Sequence, residues 1–204
     1  MKNNKNKTET ISIIMIGDTS VGKSTLMKKY VTGNYSTCLA PTLGVELYKK
    51  EITIDKKLYV YRIWDTCGQE RFRSLSKSYF NSADGIMLLF DLNSIESFEN
   101  LSIWFNSIKE CSCEDIPLVI VGTKSDLKQN VEEESINKLN FEGYLDDDKK
   151  IFKCSAKDDV GVEEPFLELA NKIINKGKPK KNDKKIKITK GENKNKDEKK
   201  KECC

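Results

Sequence analysis

The stretch that most constrains this chain is ISIIMIGDTSVGKS, residues 11–24. An apolar run of strand length, Ile11–Ile16, leads into eight residues that fit G-x-x-x-x-G-K-[ST], and a helix-compatible stretch follows. Gly17 and Gly22 let the backbone curl so that several N–H groups point into one cavity, and the following helix adds its positive end. Lys23 is a cation able to reach β- and γ-phosphates, and Ser24 offers a hydroxyl to magnesium. The alternative is an ordinary glycine-containing turn with a solvated lysine. The full match between a strand and a helix favours the phosphate loop. Gly17, Asp18, Thr19, Ser20, Val21, Gly22, Lys23, Ser24 and Thr25 are therefore the first expected nucleotide-binding residues. The motif names neither the base nor the fate of the phosphate.

The rest of the chain repeats the strand–helix alternation. Strands are expected at Ile11–Ile16, Val45–Ile54, Leu58–Asp65, Gly85–Asp91, Pro117–Gly122 and Ile151–Cys154. Phe98, Leu101, Phe105 and Ile108 recur at helical spacing, as do Val162, Phe166, Leu169 and Ile173. Asn130 with Glu133 reads as a capping box opening a helix near Val131. Pro165 falls where a first helical turn tolerates proline. This order predicts an α/β fold with a six-stranded, mostly parallel sheet and helices on both faces. The second and third strands, joined at Asp55–Lys57, form the exception, an antiparallel hairpin at one edge. Ligands of such sheets bind beyond the carboxyl ends of the strands. The loops to inspect are Gly17–Ser24, Thr66–Ser74, Thr123–Leu127 and Ser155–Asp158.

Composition narrows the function classes. The 204 residues suit one domain with tails, expected as a disordered N-terminal segment 1–10, a globular unit 11–175 and a disordered basic tail 176–204. No apolar run approaches the roughly 20 residues that span a bilayer. The opening MKNNKNKTET is too polar for a secretory signal, and Lys2 stands where N-myristoylation needs glycine. Seven cysteines without a C-x-x-C pair, and no histidine, argue against a zinc site and against histidine catalysis. The thiols are expected to stay reduced. From Lys176 to Cys204 thirteen lysines face five acidic residues, a balance of +8. The whole chain carries +4, so the remainder is a mildly acidic −4. The basic tail has almost nothing to bury and is expected to be disordered.

The loop after the third strand reads WDTCGQERF, residues 64–72. Asp65 ends a strand near the expected magnesium, Gly68 allows a backbone N–H to approach a γ-phosphate, and Gln69 can orient a water. With the phosphate loop, these residues resemble the Ras superfamily of small GTPases. The resemblance implies a small G-protein fold, GTP or GDP as bound nucleotide, and Mg2+ held by Ser24, Thr42 and, through water, Asp65. Thr42 in APTLGVE matches the first switch threonine. Tyr35 sits where the family places an aromatic ring against guanine. GTKSD, residues 122–126, matches the base motif Asn-Lys-x-Asp. Guanine presents two adjacent donors, and the Asp126 carboxylate can accept both. Lys124 is expected to pack over the ring. In CSAK, Ser155 supports the loop, Ala156 offers a backbone N–H to guanine O6, and Lys157 packs nearby. Gln69 is the expected catalytic residue. There are departures: Thr123 stands for the commoner asparagine, as in the Rho branch, Thr19 and Ser20 stand where glycine is frequent, and Cys67 replaces alanine beside the γ-phosphate.

Within the superfamily, TLGVEL, RIWDT, RFRSLSKSYF and LLFDLN most resemble the Rab family. That family exposes three aromatics for effectors. Trp64 and Tyr79 match two of them, with Leu47 at the third position. The ending KKKECC matches the Rab double-cysteine prenylation signal at Cys203 and Cys204, and no C-a-a-X box is present. The implied partners are an exchange factor, an activating protein, a prenyl-lipid carrier and effectors. The implied location is the cytoplasmic face of an intracellular or plasma membrane, with a cytosolic pool. Lysines favour anionic leaflets. The tail has no arginine and no aromatic, so nucleic acid is not an expected partner. The implied function is a Rab-like GTPase that hydrolyses GTP slowly unaided and recruits effectors in vesicle trafficking. A P-loop kinase, a nucleotide-locked scaffold and a Rho- or Ras-type signalling GTPase are the alternatives. Asp126 with CSAK opposes the first, Gln69 the second, and the tail the third.

Overall fold

The computed structural model describes residues 8–36, 40–42, 44–67, 80, 82–111, 116–139, 141 and 151–177. Six strands form one sheet: β1 Glu9–Ile16, β2 Val45–Ile54, β3 Lys57–Thr66, β4 Gly85–Asp91, β5 Leu118–Thr123 and β6 Ile151–Lys153. Their spatial order is β2-β3-β1-β4-β5-β6. Every neighbouring pair is parallel except β2 with β3. The expected mixed sheet with its antiparallel edge hairpin is present. The hairpin turns at Asp55 and Lys56, both with positive φ (49° and 63°). That pair of left-handed residues suits the right-handed twist of the flanking strands.

The inner strands are apolar on both faces because helices cover both. Ile11, Ile13 and Met15 of β1 enter one core cluster, while Ile14 and Ile16 enter the other. All seven residues of β4 and all six of β5 are buried. Among the described residues the helices are α1 Lys23–Thr32, α2 Ile95–Glu99, α3 Leu101–Cys111, α4 Glu133–Asn137 and α5 Glu164–Lys176. Leu26, Met27 and Tyr30 of α1 share the first cluster with Phe166, Leu169, Ala170 and Ile173 of α5. The Tyr30 ring stacks on Phe166, centroids 3.8 Å apart. Leu101, Trp104, Phe105 and Ile108 of α3 fill the second cluster. Pro165 lies in the first turn of α5 as expected.

Two local expectations fail. The periodic run from Phe98 to Ile108 is not one helix. It breaks at Asn100, the C-cap of α2, after which α3 restarts. The Asn130–Glu133 capping box does not form either. The helix starts at Glu133 with Glu132 as N-cap and no side-chain cap bond. The Asn130 amide instead donates to the Asn93 carbonyl at 3.0 Å and to Asn93 Oδ1 at 2.7 Å. The loop after β4 competes for the same side chain and wins.

The topology gathers the site loops. The strand after β1 in sequence joins the sheet on one side of it, by way of β3, and β4 joins on the other. A crevice therefore opens beyond their carboxyl ends.

Candidate functional site

The phosphate loop leaves β1 at Gly17, where a side chain is impossible. A Cβ there would lie 2.2 Å from the Leu89 carbonyl oxygen, and φ is 141°. Gly22, at φ 95°, is the N-cap of α1 and supplies no side chain to the helix's first N–H groups. With no side-chain cap, those donors are available to an anion. Ser20 takes φ 64° without being glycine. Lys23 is 5% exposed, and its Nζ donates to the Gly17 carbonyl at 2.9 Å and the Asp18 carbonyl at 2.6 Å. Burial brings its pKa down to about 8, against the opposing pull of the Asp65 and Asp18 carboxylates.

Three oxygen-bearing side chains meet beside this lysine. Ser24 Oγ is 2.7 Å from Thr42 Oγ1, and Thr42 donates to Asp65 Oδ2 at 3.4 Å. Asp65 is 1% exposed, and its Oδ1 is buried without a hydrogen-bond partner. Burial pushes the Asp65 carboxyl above its ordinary pKa. A buried, unpaired carboxylate oxygen among hydroxyls is costly unless a cation completes the set. An all-oxygen donor group of this size suits a hard divalent ion such as Mg2+. The residues fit the metal.

The loops after β5 and β6 build a second cavity of about 320 Å³, continuous with Gly22 and Thr25. Tyr35, Lys124, Asp126, Ala156 and Lys157 line it. Asp126 is held in place: Ser155 Oγ donates to its Oδ1 at 2.7 Å, and Lys157 Nζ stands 3.7 Å from Oδ2. The Asp158 N–H in turn donates to Ser155 Oγ at 3.0 Å. Thr123 ties this cavity to the phosphate loop. Its Oγ1 lies 2.5 Å from the Val21 carbonyl and 2.9 Å from the Phe90 carbonyl. One hydroxyl proton serves both acceptors in turn, where an asparagine amide would offer two.

The site thus joins a glycine-bounded loop with a buried lysine, an oxygen-lined cation site beside it and an adjoining cavity that holds a carboxylate. The sequence agrees with known proteins along the same length. The Ras family model matches residues 12–175. The chain is 34% identical to the Ras-related protein RabZ of Dictyostelium discoideum, covering 85% of this chain and 75% of that protein. It is 35% identical to human Ras-related protein Rab-8B, with coverage of 84% and 82%. It is 36% identical to rat Ras-related protein Rab-9A, with coverage of 82% and 85%. The chain belongs to the Rab family of small GTPases. As a Rab-like protein it binds guanine nucleotide, hydrolyses GTP and acts in trafficking.

In this Rab the structure brings together most of the residues singled out in the sequence. Gly17, Asp18, Thr19, Ser20, Val21, Gly22, Lys23, Ser24 and Thr25 form the loop and the helix start, with Thr42 and Asp65 against Ser24. Tyr35, Thr123, Lys124, Asp126, Ala156 and Lys157 share the second cavity. Leu47 pairs directly opposite Trp64 across the hairpin, Leu47 exposed and Trp64 half-buried. Gly68, Gln69, Tyr79, Cys203 and Cys204 lie outside the described residues.

Sequence reasoning missed three partners. The Lys124 ammonium pairs with Asp91 Oδ2 at 2.8 Å, so Asp91 anchors the lysine expected to pack on the base. Asn100 and Trp104 both donate to Asp18. Asp91 could have been suspected as the last residue of a strand at the site edge. Nothing in local spacing marks Asn100 or Trp104.

Proposed function

We propose that this Rab is a GTP/GDP switch whose nucleotide occupies the line from Lys23 to Asp126. The observation that carries the reading is Thr42 seated 2.7 Å from Ser24 and 3.4 Å from Asp65. It joins a residue far from the phosphate loop to the cation site. Ser24, Thr42 and, through water, Asp65 would hold Mg2+, which supplies charge neutralisation at the β- and γ-phosphates. Lys23 moves from the Gly17 and Asp18 carbonyls to the phosphate oxygens. The N–H groups from Asp18 to Thr25 surround the phosphates. Asp126 accepts the two guanine donors, Ser155 holds Asp126, and Lys124, braced by Asp91, and Tyr35 flank the ring. Gln69 orients the attacking water, and Gly68 approaches the γ-phosphate. Loss of that phosphate frees Thr42 and Gly68, and the surface carrying Leu47, Trp64 and Tyr79 changes with them. An exchange factor, an activating protein and effectors read that surface. Prenyl groups on Cys203 and Cys204, presented by a lipid carrier, place the protein on a cytoplasmic membrane face.

Two measurements test this reading. GTP, but not ATP at the same concentration, should displace labelled GDP from the protein. In single turnover, hydrolysis should be slow, on the order of 10⁻⁴ to 10⁻² per second, the range of intrinsic rates for Ras and Gα. Gln69→Leu should slow it further while GDP affinity stays unchanged. Equal displacement by ATP, or a Gln69→Leu rate equal to wild type, contradicts the assignment.

A further inference from the structure

Asp18 is an awkward residue for a loop that takes a polyphosphate. A free carboxylate next to the phosphate positions would repel the ligand through a short, poorly screened distance. In this structure both of its oxygens are occupied. Asn100 Nδ2 donates to Oδ2 at 2.7 Å, and Trp104 Nε1 donates to Oδ1 at 2.7 Å. The donors lie 82 and 86 residues further along the chain but form one rigid corner. The Asn100 carbonyl accepts from the N–H groups of Ile103 and Trp104, at 3.0 and 3.1 Å. Trp104 is 4% exposed, locked in the core between α3 and the sheet. The same Asp18 presents its backbone carbonyl to Lys23 at 2.6 Å. The start of the loop is therefore fixed from two sides, Gly17 against β4 and Asp18 against the α2–α3 corner. A polar cavity of about 370 Å³ separates that corner from Thr19 and Ser20, so the carboxylate has room to move once released.

We propose that Asn100 and Trp104 are positioning residues for nucleotide retention. They hold the Asp18 carboxylate away from the phosphates and fix the start of the phosphate loop against the α2–α3 corner. The inference rests on the phosphate loop being the nucleotide site. Charge-assisted hydrogen bonds are short and strong, so removing either donor both frees the charge and loosens the loop. The effect belongs to release rather than encounter.

The test follows release of a fluorescent N-methylanthraniloyl-GDP from the full chain after adding excess GDP. Trp104→Phe keeps an aromatic ring and removes the N–H. It should speed release about tenfold, the equivalent of one hydrogen bond to a charged group, with the association rate changed less than twofold. In an Asp18→Ala background the same substitution should have no further effect, because no carboxylate remains to be held. Asn100→Ser provides the same cycle if Trp104→Phe does not fold. Release within twofold of wild type overturns the inference. So does an acceleration that persists undiminished in the Asp18→Ala background, since that marks simple loss of packing. Failure of the wild-type protein to bind GDP would instead overturn the nucleotide reading, and this inference with it.

Discussion

At the scale of single residues, Lys23 shows how burial prepares a group for its ligand. Its ammonium is buried against two carbonyls, and burial lowers its pKa to about 8. Phosphates would favour the charged form, so the lysine binds its proton more tightly in the complex than in the free protein. Binding then takes up a proton wherever free Lys23 is partly neutral. Affinity is flat well below pH 8 and falls as pH rises through that value. Calorimetry of GDP binding at pH 8, in two buffers of different ionisation enthalpy, should show net proton uptake, smaller at pH 7 and larger at pH 9. Lys23→Arg should abolish the uptake, because arginine does not titrate there. No buffer dependence would mean that Lys23 is fully charged before binding. Thr123 and Ser20 show the cost of departing from commoner residues. Thr123 shares one proton between two carbonyls, and Ser20 holds a left-handed backbone that glycine adopts without strain.

Among secondary-structure elements, the loops after β1, β5 and β6 bring three sequence-separated segments to one crevice, with Asp65 of β3 reaching it through Thr42. Those loops were legible because the chemistry dictates residue types locally: Gly17 and Gly22 for the curl, Lys23 for phosphate, Asp126 for base donors. The strands were legible because β4 and β5 are buried on both faces and so read as unbroken apolar runs. The α2–α3 break was not legible. Phe98, Leu101, Phe105 and Ile108 keep helical spacing across it, and only Asn100's tertiary bond to Asp18 singles out the junction. The capping signal at Asn130 failed for a related reason, since the Asn93 contact lies outside any local window. The contact between α1 and the first switch segment is where the element scale meets function. Ser24→Asn removes a hydroxyl 2.7 Å from Thr42 and puts a larger amide in its place. The γ-phosphate state needs the cation and Thr42 more than the GDP state does. The ratio of GTP to GDP affinity should fall about tenfold, the scale of one lost polar contact at a charged site. An unaltered ratio, measured by competition against labelled GDP in Mg2+, would remove Ser24 from the cation site.

At the scale of the whole molecule, the charge is divided. The sequence carries −4 before Lys176 and +8 from there to Cys204. No helix among the described residues is long and apolar enough to cross a membrane. In the proposed scheme membrane attachment is through Cys203 and Cys204, with lysines adding about 1 kcal/mol each near an anionic leaflet. Two lipid chains anchor stably where one is marginal. Replacing Cys203 and Cys204 by serine should move the protein from the membrane pellet to the soluble fraction of cells, with GDP affinity unchanged. Unchanged membrane recovery, with an unmodified C-terminus by intact mass, would contradict lipid anchoring. In the proposed switch, the cavity holding Asp126 reads guanine and so makes the phosphate cradle specific for GTP and GDP. Asp126→Asn tests it most directly. The amide keeps one acceptor and turns a donor toward the base, so it mismatches guanine and matches xanthine. Side-by-side titration of wild type and Asp126→Asn with GDP and xanthosine diphosphate decides the matter. GDP binding should weaken roughly ten- to several-hundred-fold and xanthosine diphosphate binding should strengthen. Equal GDP affinity in the two proteins, with no gain for the xanthine nucleotide, would contradict it.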